Sequence, residues 1–274
     1  MNNQFGFPVF DQILHEYNLF VLKLVDEYTA KKISSWDDLD KRVKSFFTPE
    51  RMESIELTAP GWRKMASYSD GITLTHVTCV FLGMFMLPEF LNLSPEQQQI
   101  AKWIVLFHDI EKIHTRGKRD NLHAFRSAVN AAQSLPEVGF PATAIYKVLI
   151  HTWSEITNSA FIMTGNNSEE QIPDKRKLPE IISGIDNMFG EVTPAGLIVK
   201  VVLLHYSITV VEDWPQPAAF SDKEIHEYIS HELFPLLKVM MLADNEGWSM
   251  FYPEREQQRR ETLETFGRVE ELVT

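Results

Sequence analysis

Apolar residues recur at helical spacing through most of this chain and almost nowhere at strand spacing. Val77, Val80, Phe81 and Met84 stand at i, i+3, i+4 and i+7, which is one stripe of a helix with period 3.6. Ile100, Trp103, Ile104 and Phe107 repeat the pattern a segment later. With hairpin signals nearly absent, this periodicity predicts an all-α fold. A chain of 274 residues is long enough to bury a sizeable core.

Local signals divide the chain further. Residues 9–30 read as an amphipathic helix and 36–47 as a short second one, and TAPGW at 58–62 breaks the pattern. The expected organisation is a helical extension over 1–58, a main helical domain over 59–252 and a charged C-terminal helix over 253–274. Within the main domain helices are expected over 71–87 and 141–156. Ser94-Pro95-Glu96-Gln97 starts another, with Ser as N-cap, Pro in the first turn and Gln at the capping-box position. Asp120 or Asn121 is expected to cap a helix through Ala132 that stops near Pro136. Residues 164–180, TGNNSEEQIPDKRKLPE, are polar, rich in breakers and expected to be a loop. Further helices are expected over 179–189, from Thr193-Pro194 to about Glu212, and from Ser221 to about Glu246. Ser221 and Glu224 form a capping box on the last of these, and Pro235 should kink it.

The formal net charge is −12, which argues against an extended nucleic-acid track. A small anionic ligand remains compatible with it, because a local group of cations can oppose the overall sign. Cys79 is the one cysteine, so the fold does not depend on an internal disulfide. No uninterrupted apolar run is long enough for a membrane span, and MNNQFGFPVFDQ does not read as a signal peptide. The expected setting is the cytoplasm.

The stretch LFHDIEK places His108 and Asp109 at the end of an apolar helix. Adjacent helical residues point about 100° apart, so the two converge on one ion only where the chain turns at a helix end. An imidazole with a carboxylate suits Mn, Fe, Zn, Ni or a mixed Mg site. His76 lies in the preceding helix among apolar neighbours, His123 opens the next, and His151 lies near the end of the one after. Each alone reads as a core histidine. Four in successive core helices, with an Asp beside one, read as ligands of a metal centre. His205, in VVLLHYSI, could be a further ligand, a proton carrier or a core histidine.

Cations gather beside the dyad. Lys112, Arg116, Lys118 and Arg119 follow it within one short loop, and Arg126 lies one helical turn after His123. Guanidinium forks and a compact ammonium suit phosphate oxygens. The plainer reading is a solvated loop balancing acidic neighbours.

The order of His76, the His108-Asp109 pair, Lys112 and a later closing Asp resembles the HD superfamily, over roughly residues 60–250. The resemblance implies an HD-type helical bundle, bound divalent metal, and phosphohydrolase activity. His123 and His151 make the chain look more like the two-metal branch, which includes phosphodiesterases and mixed-valent di-iron oxygenases. The GYP signature of the cyclic-dinucleotide phosphodiesterases is absent. The closing ligand is left between two residues: Asp244, in MMLADNEGW, is favoured by the buried local motif, and Asp186, in SGIDNMF, by spacing. In the family Lys112 corresponds to a lysine that meets the substrate phosphate.

The expected ligands of two divalent ions are therefore His76, His108, Asp109, His123, His151 and Asp244, with Lys112, Arg116, Lys118 and Arg126 holding a small phosphorylated or nucleotide substrate. Asp109, Lys112 and His205 are expected to take part in catalysis. His205 or His114 is the expected proton donor to the leaving oxygen, and Glu111 is a weaker acid/base candidate. A di-iron oxygenase and a non-catalytic HD-like signalling module are the rival readings. Trp153, Trp214, Trp248 and Phe251 are candidates for a pocket rim or for packing.

Overall fold

The computed structural model describes residues 5–67, 72–113, 119–164, 170–210 and 215–273. Helix dominates these residues, and the fold is all-α apart from one two-stranded hairpin. Short α1 (Phe10–Ile13) leads into α2 (His15–Thr29), α3 (Trp36–Phe46), α4 (Pro49–Thr58) and α5 (Trp62–Ser67). Then come α6 (Ile72–Met86), α7 (Pro88–Leu91), α8 (Pro95–Phe107), α9 (His123–Val138) and α10 (Tyr146–Asn158). The hairpin β1 (Phe161–Thr164) and β2 (Glu170–Pro173) precedes α11 (Leu178–Phe189) and α12 (Pro194–Leu204). The chain closes with α13 (Asp222–Tyr228), α14 (Phe234–Ser249) and α15 (Arg255–Val273). No described helix is long and apolar enough to cross a membrane.

Helix α6 is the centre of the bundle, buried on all sides from Thr73 to Met84. Helix α14 lies along it at close range because glycines face the contact. A Cβ on Gly247 would stand 2.4 Å from Val80 Cγ2 and 3.0 Å from His76 Cε1, and one on Gly83 would stand 2.5 Å from Glu246 Cβ. The first helices join the same core: Tyr17 bonds Thr78 at 3.2 Å, and Trp103 Nε1 donates to Pro8 O at 3.0 Å. At the other end, buried Glu246 accepts from Arg255 at 2.6 Å, which fixes α15 beside α14.

Several expectations fail for identifiable reasons. The segment expected to be a single kinked helix over 221–246 is two helices. Ser221 and Glu224 do form a capping box, but Ile229 is extended, and Pro235 opens α14 rather than bending it; at the first turn its missing N–H costs nothing. Pro136 lies inside α9, which continues to Val138 and ends at left-handed Gly139. Asp120 caps no helix, since α9 has no side-chain cap. The expected loop over 164–180 contains β2, one turn of 3-10 helix over Lys175–Lys177 and the start of α11. Helix α12 ends at Leu204, eight residues short of expectation.

Candidate metal centre

Five elements deliver six polar side chains to one place. His76 comes from the middle of α6 and Asp244 from α14. His108 is the C-cap of α8, Asp109 lies in the turn that follows it, His123 is the first residue of α9, and His205 is the C-cap of α12. The two C-caps are built alike. Each follows an apolar run, and each ring donates Nδ1–H to the carbonyl three residues back: His108 to Val105 at 2.8 Å, His205 to Val202 at 2.7 Å. Those carbonyls belong to the last helical turn, where the main chain offers unused acceptors. His123 Nδ1 makes the same kind of bond to Asp120 O at 2.5 Å. In all three rings the proton sits on Nδ1, so the Nε2 lone pair faces the centre.

Asp109 lies between two donor groups. On one side, His76 Nε2 and His108 Nε2 are 3.4 and 3.6 Å from Asp109 Oδ2, and Asp244 Oδ1 is 3.0 Å from His76 Nε2. On the other side, His123 Nε2 and His205 Nε2 are 3.3 and 3.9 Å from Asp109 Oδ1, and 3.2 Å from one another. Ligand bonds of about 2.1 Å place neighbouring donors roughly 3.0–3.4 Å apart around one ion, close to these separations. His76, His108 and Asp109, and separately Asp109, His123 and His205, are buried groups that could each hold a metal ion.

The electrostatics agree with that use. Burial pushes the His108 imidazole down, and pushes those of His123 and His205 down to about 4. All three are neutral at neutral pH. Burial would also lower His76, but its hydrogen bonds to Asp109 and Asp244 outweigh this and raise it. Burial would raise both carboxyls. The charge of Lys112 and the bond from His76 hold Asp109 well below the usual range, and the bond from His76 does the same for Asp244. His108 Nε2 and Asp109 Oδ1 are buried without a hydrogen-bond partner among the described residues. A buried polar atom without a partner is costly; a cation held in the first group would satisfy His108 Nε2, and one in the second Asp109 Oδ1. The donor set therefore fits a divalent metal.

Lys112 closes the rim of the first group, with Nζ 2.7 Å from Asp109 Oδ2 and 5.3 Å from the centre of the Trp248 ring. Trp248 stacks on His76 at 4.1 Å and is 42% exposed. With the partly exposed carboxylate of Asp244, these residues form the open side of the centre.

Two expected ligands lie elsewhere. His151 is on the solvent face of α10, its side chain 83% exposed and 3.4 Å from Glu155. Trp153 fills the buried face of that helix, and two residues at about 100° each put His151 on the opposite side. Its expected place is taken by His205. Asp186, the alternative closing residue, pairs with Lys200 at 2.5 Å, and Asp244 stands at the centre instead. Arg126 does not face the centre: its guanidinium donates to the Asp120 carboxylate and to Glu111 O. Glu111 pairs with Lys64 at 2.9 Å. Trp153 is a packing residue whose indole donates to Ile181 O, and Phe251 packs on Tyr28. Arg116, Lys118, His114 and Trp214 lie outside the described residues. Tyr206, which the sequence did not single out, packs edge-on against His123 at 4.7 Å. Burial pushes its phenol up to about 12.

Comparison of the chain with models of protein families, with curated proteins and with solved structures finds no match.

Proposed function

We propose that the chain is a metal-dependent phosphohydrolase of the HD type, acting on a small phosphorylated substrate. The observation that supports this most is the shared carboxylate of Asp109, with two histidines beside each of its oxygens. His76, His108, Asp109 and Asp244 would hold one divalent ion, and Asp109, His123 and His205 a second. The chain would offer four donors to the first ion and three to the second. When bound, the ions supply Lewis-acid chemistry: they neutralise phosphoryl charge and acidify water.

The chain's own residues do the rest. Lys112, charged and at the open side, binds a phosphoryl oxygen and keeps Asp109 ionised. His205 serves as a ligand rather than a proton donor, because its one ring proton is bonded to Val202 O. Tyr206 keeps its proton at neutral pH and offers it to a group bound beside His123.

A second reading is an oxygenase with two irons. Four imidazoles among six donors suit iron better than magnesium, and Lys112 is the one described cation placed at the centre. The two readings separate in one experiment. Metal-loaded protein is mixed with a panel of phosphate esters without oxygen, and separately with candidate substrates in air. Hydrolysis predicts anaerobic phosphate release. Oxygen uptake with no anaerobic release would favour the oxygenase.

A further inference from the structure

Asp120 accepts four bonds beside the centre. Its Oδ2 accepts from Ile113 N at 2.8 Å and from the Arg126 guanidinium, its Oδ1 from Leu122 N at 3.3 Å, and its carbonyl from His123 Nδ1. Arg126 extends the link by donating to Glu111 O at 3.1 Å. Ile113 and Glu111 lie just after Asp109, and Leu122 just before His123. Asp120 and Arg126 thus tie together the two ends of the segment that joins two donors to the second ion. Both side chains are largely shielded, at 13% and 27% exposure, so their attraction is less screened than in an open surface pair.

We propose that Asp120 and Arg126 are a positioning pair for the second ion. Through their bonds to Ile113 N, Leu122 N and Glu111 O, the two side chains hold in place the Asp120 carbonyl that orients His123, and with it the spacing of His123 from Asp109 Oδ1. The first ion's donors are oriented by other groups: His108 by Val105 O, and His76 by the Trp248 ring stacked on it. Breaking the pair therefore affects the two ions unequally. This inference rests on the two-ion reading above.

The test is Co²⁺ titration of metal-stripped full-length protein, followed by competition with a chelator and by visible absorption. The wild type is expected to take up two ions. Asp120→Ala keeps the carbonyl that accepts from His123 Nδ1 but loses the side-chain bonds that hold it, so it is expected to keep one ion at wild-type affinity and to bind the other about 10–100-fold more weakly, the usual scale of an outer-shell loss. Asp120→Asn and Arg126→Lys, which keep part of the hydrogen bonding, are expected to fall between; if Asp120→Ala does not fold, these two carry the comparison. Circular dichroism checks that the helices persist. Uptake of two ions by the variants with both affinities unchanged overturns the positioning role. Equal weakening of both ions overturns it too, since that is a general structural effect. A wild type that binds no Co²⁺ defeats the two-ion reading itself.

Discussion

His123 and His205 face each other Nε2 to Nε2 at 3.2 Å, with both Nδ1 protons already given to main-chain carbonyls. Two lone pairs directed at one another in a buried space repel, and a cation between them converts repulsion into ligation. This contact, from helices 82 residues apart in sequence, makes His205 a ligand in the proposed reading and leaves His151 without a role.

His205→Ala is accordingly expected to reduce metal content by one ion per chain, while His151→Ala leaves it unchanged. Elemental analysis of the two purified variants checks both. Equal metal content in the two would remove His205 from the donor set.

The same pair sets a pH dependence for the metal-free protein. Both imidazoles have folded values near 4, below the ordinary 6.5. The unfolded chain therefore binds more protons between those values, and stability rises with pH across that window. His76 has a raised value and acts in the opposite direction, its contribution fading as pH climbs beyond 6.5. Urea melts of stripped protein should show stability increasing by a few kcal/mol from pH 4 to 6.5. For the double variant His123→Ala/His205→Ala the increase should be smaller. An unchanged slope in the double variant would contradict the assignment.

Gly247→Ala is expected to destabilise the fold by about 1–3 kcal/mol through overpacking, because its Cβ would meet Val80 Cγ2 at 2.4 Å. A thermal melt should show a drop of several degrees. The same displacement moves α14, and with it Asp244, away from His76, so weaker metal binding should accompany the lower Tm.

Much of this arrangement was legible in the sequence, because periodicity and caps report directly on helices. The Ser94 and Ser221 capping boxes form as their residues imply. His76, His108, Asp109, His123 and Asp244 come together as their positions on apolar helices suggest. His151 falls outside the centre because one histidine per helix says nothing of which face each occupies, and His151 sits on the face of α10 opposite Trp153. His205 carried a usable signal: VVLLH repeats the pattern of IVLFH, an apolar run that ends in a C-cap histidine. The pairing of Arg126 with Asp120 was not legible, since it depends on how the chain turns between Glu111 and His123. A proline that kinks one helix and a proline that starts another look alike in sequence when the break before it, here at Ile229, carries no Gly or Pro.

Lys112→Ala is expected to lower kcat/KM for a phosphorylated substrate about 100-fold, the scale of losing one donor to developing phosphoryl charge. The metal ions should remain, because Lys112 is not a donor to them. Steady-state kinetics alongside metal analysis separates the two effects. Loss of metal in this variant would make Lys112 a structural partner of Asp109 instead.

The most direct test of the central claim is the metal-to-protein ratio of the full chain, purified without chelators and then dialysed against Mn²⁺ or Fe²⁺ without oxygen. The convergence of His76, His108, Asp109, His123, His205 and Asp244 predicts a ratio near two. A folded protein whose ratio stays near zero would contradict it.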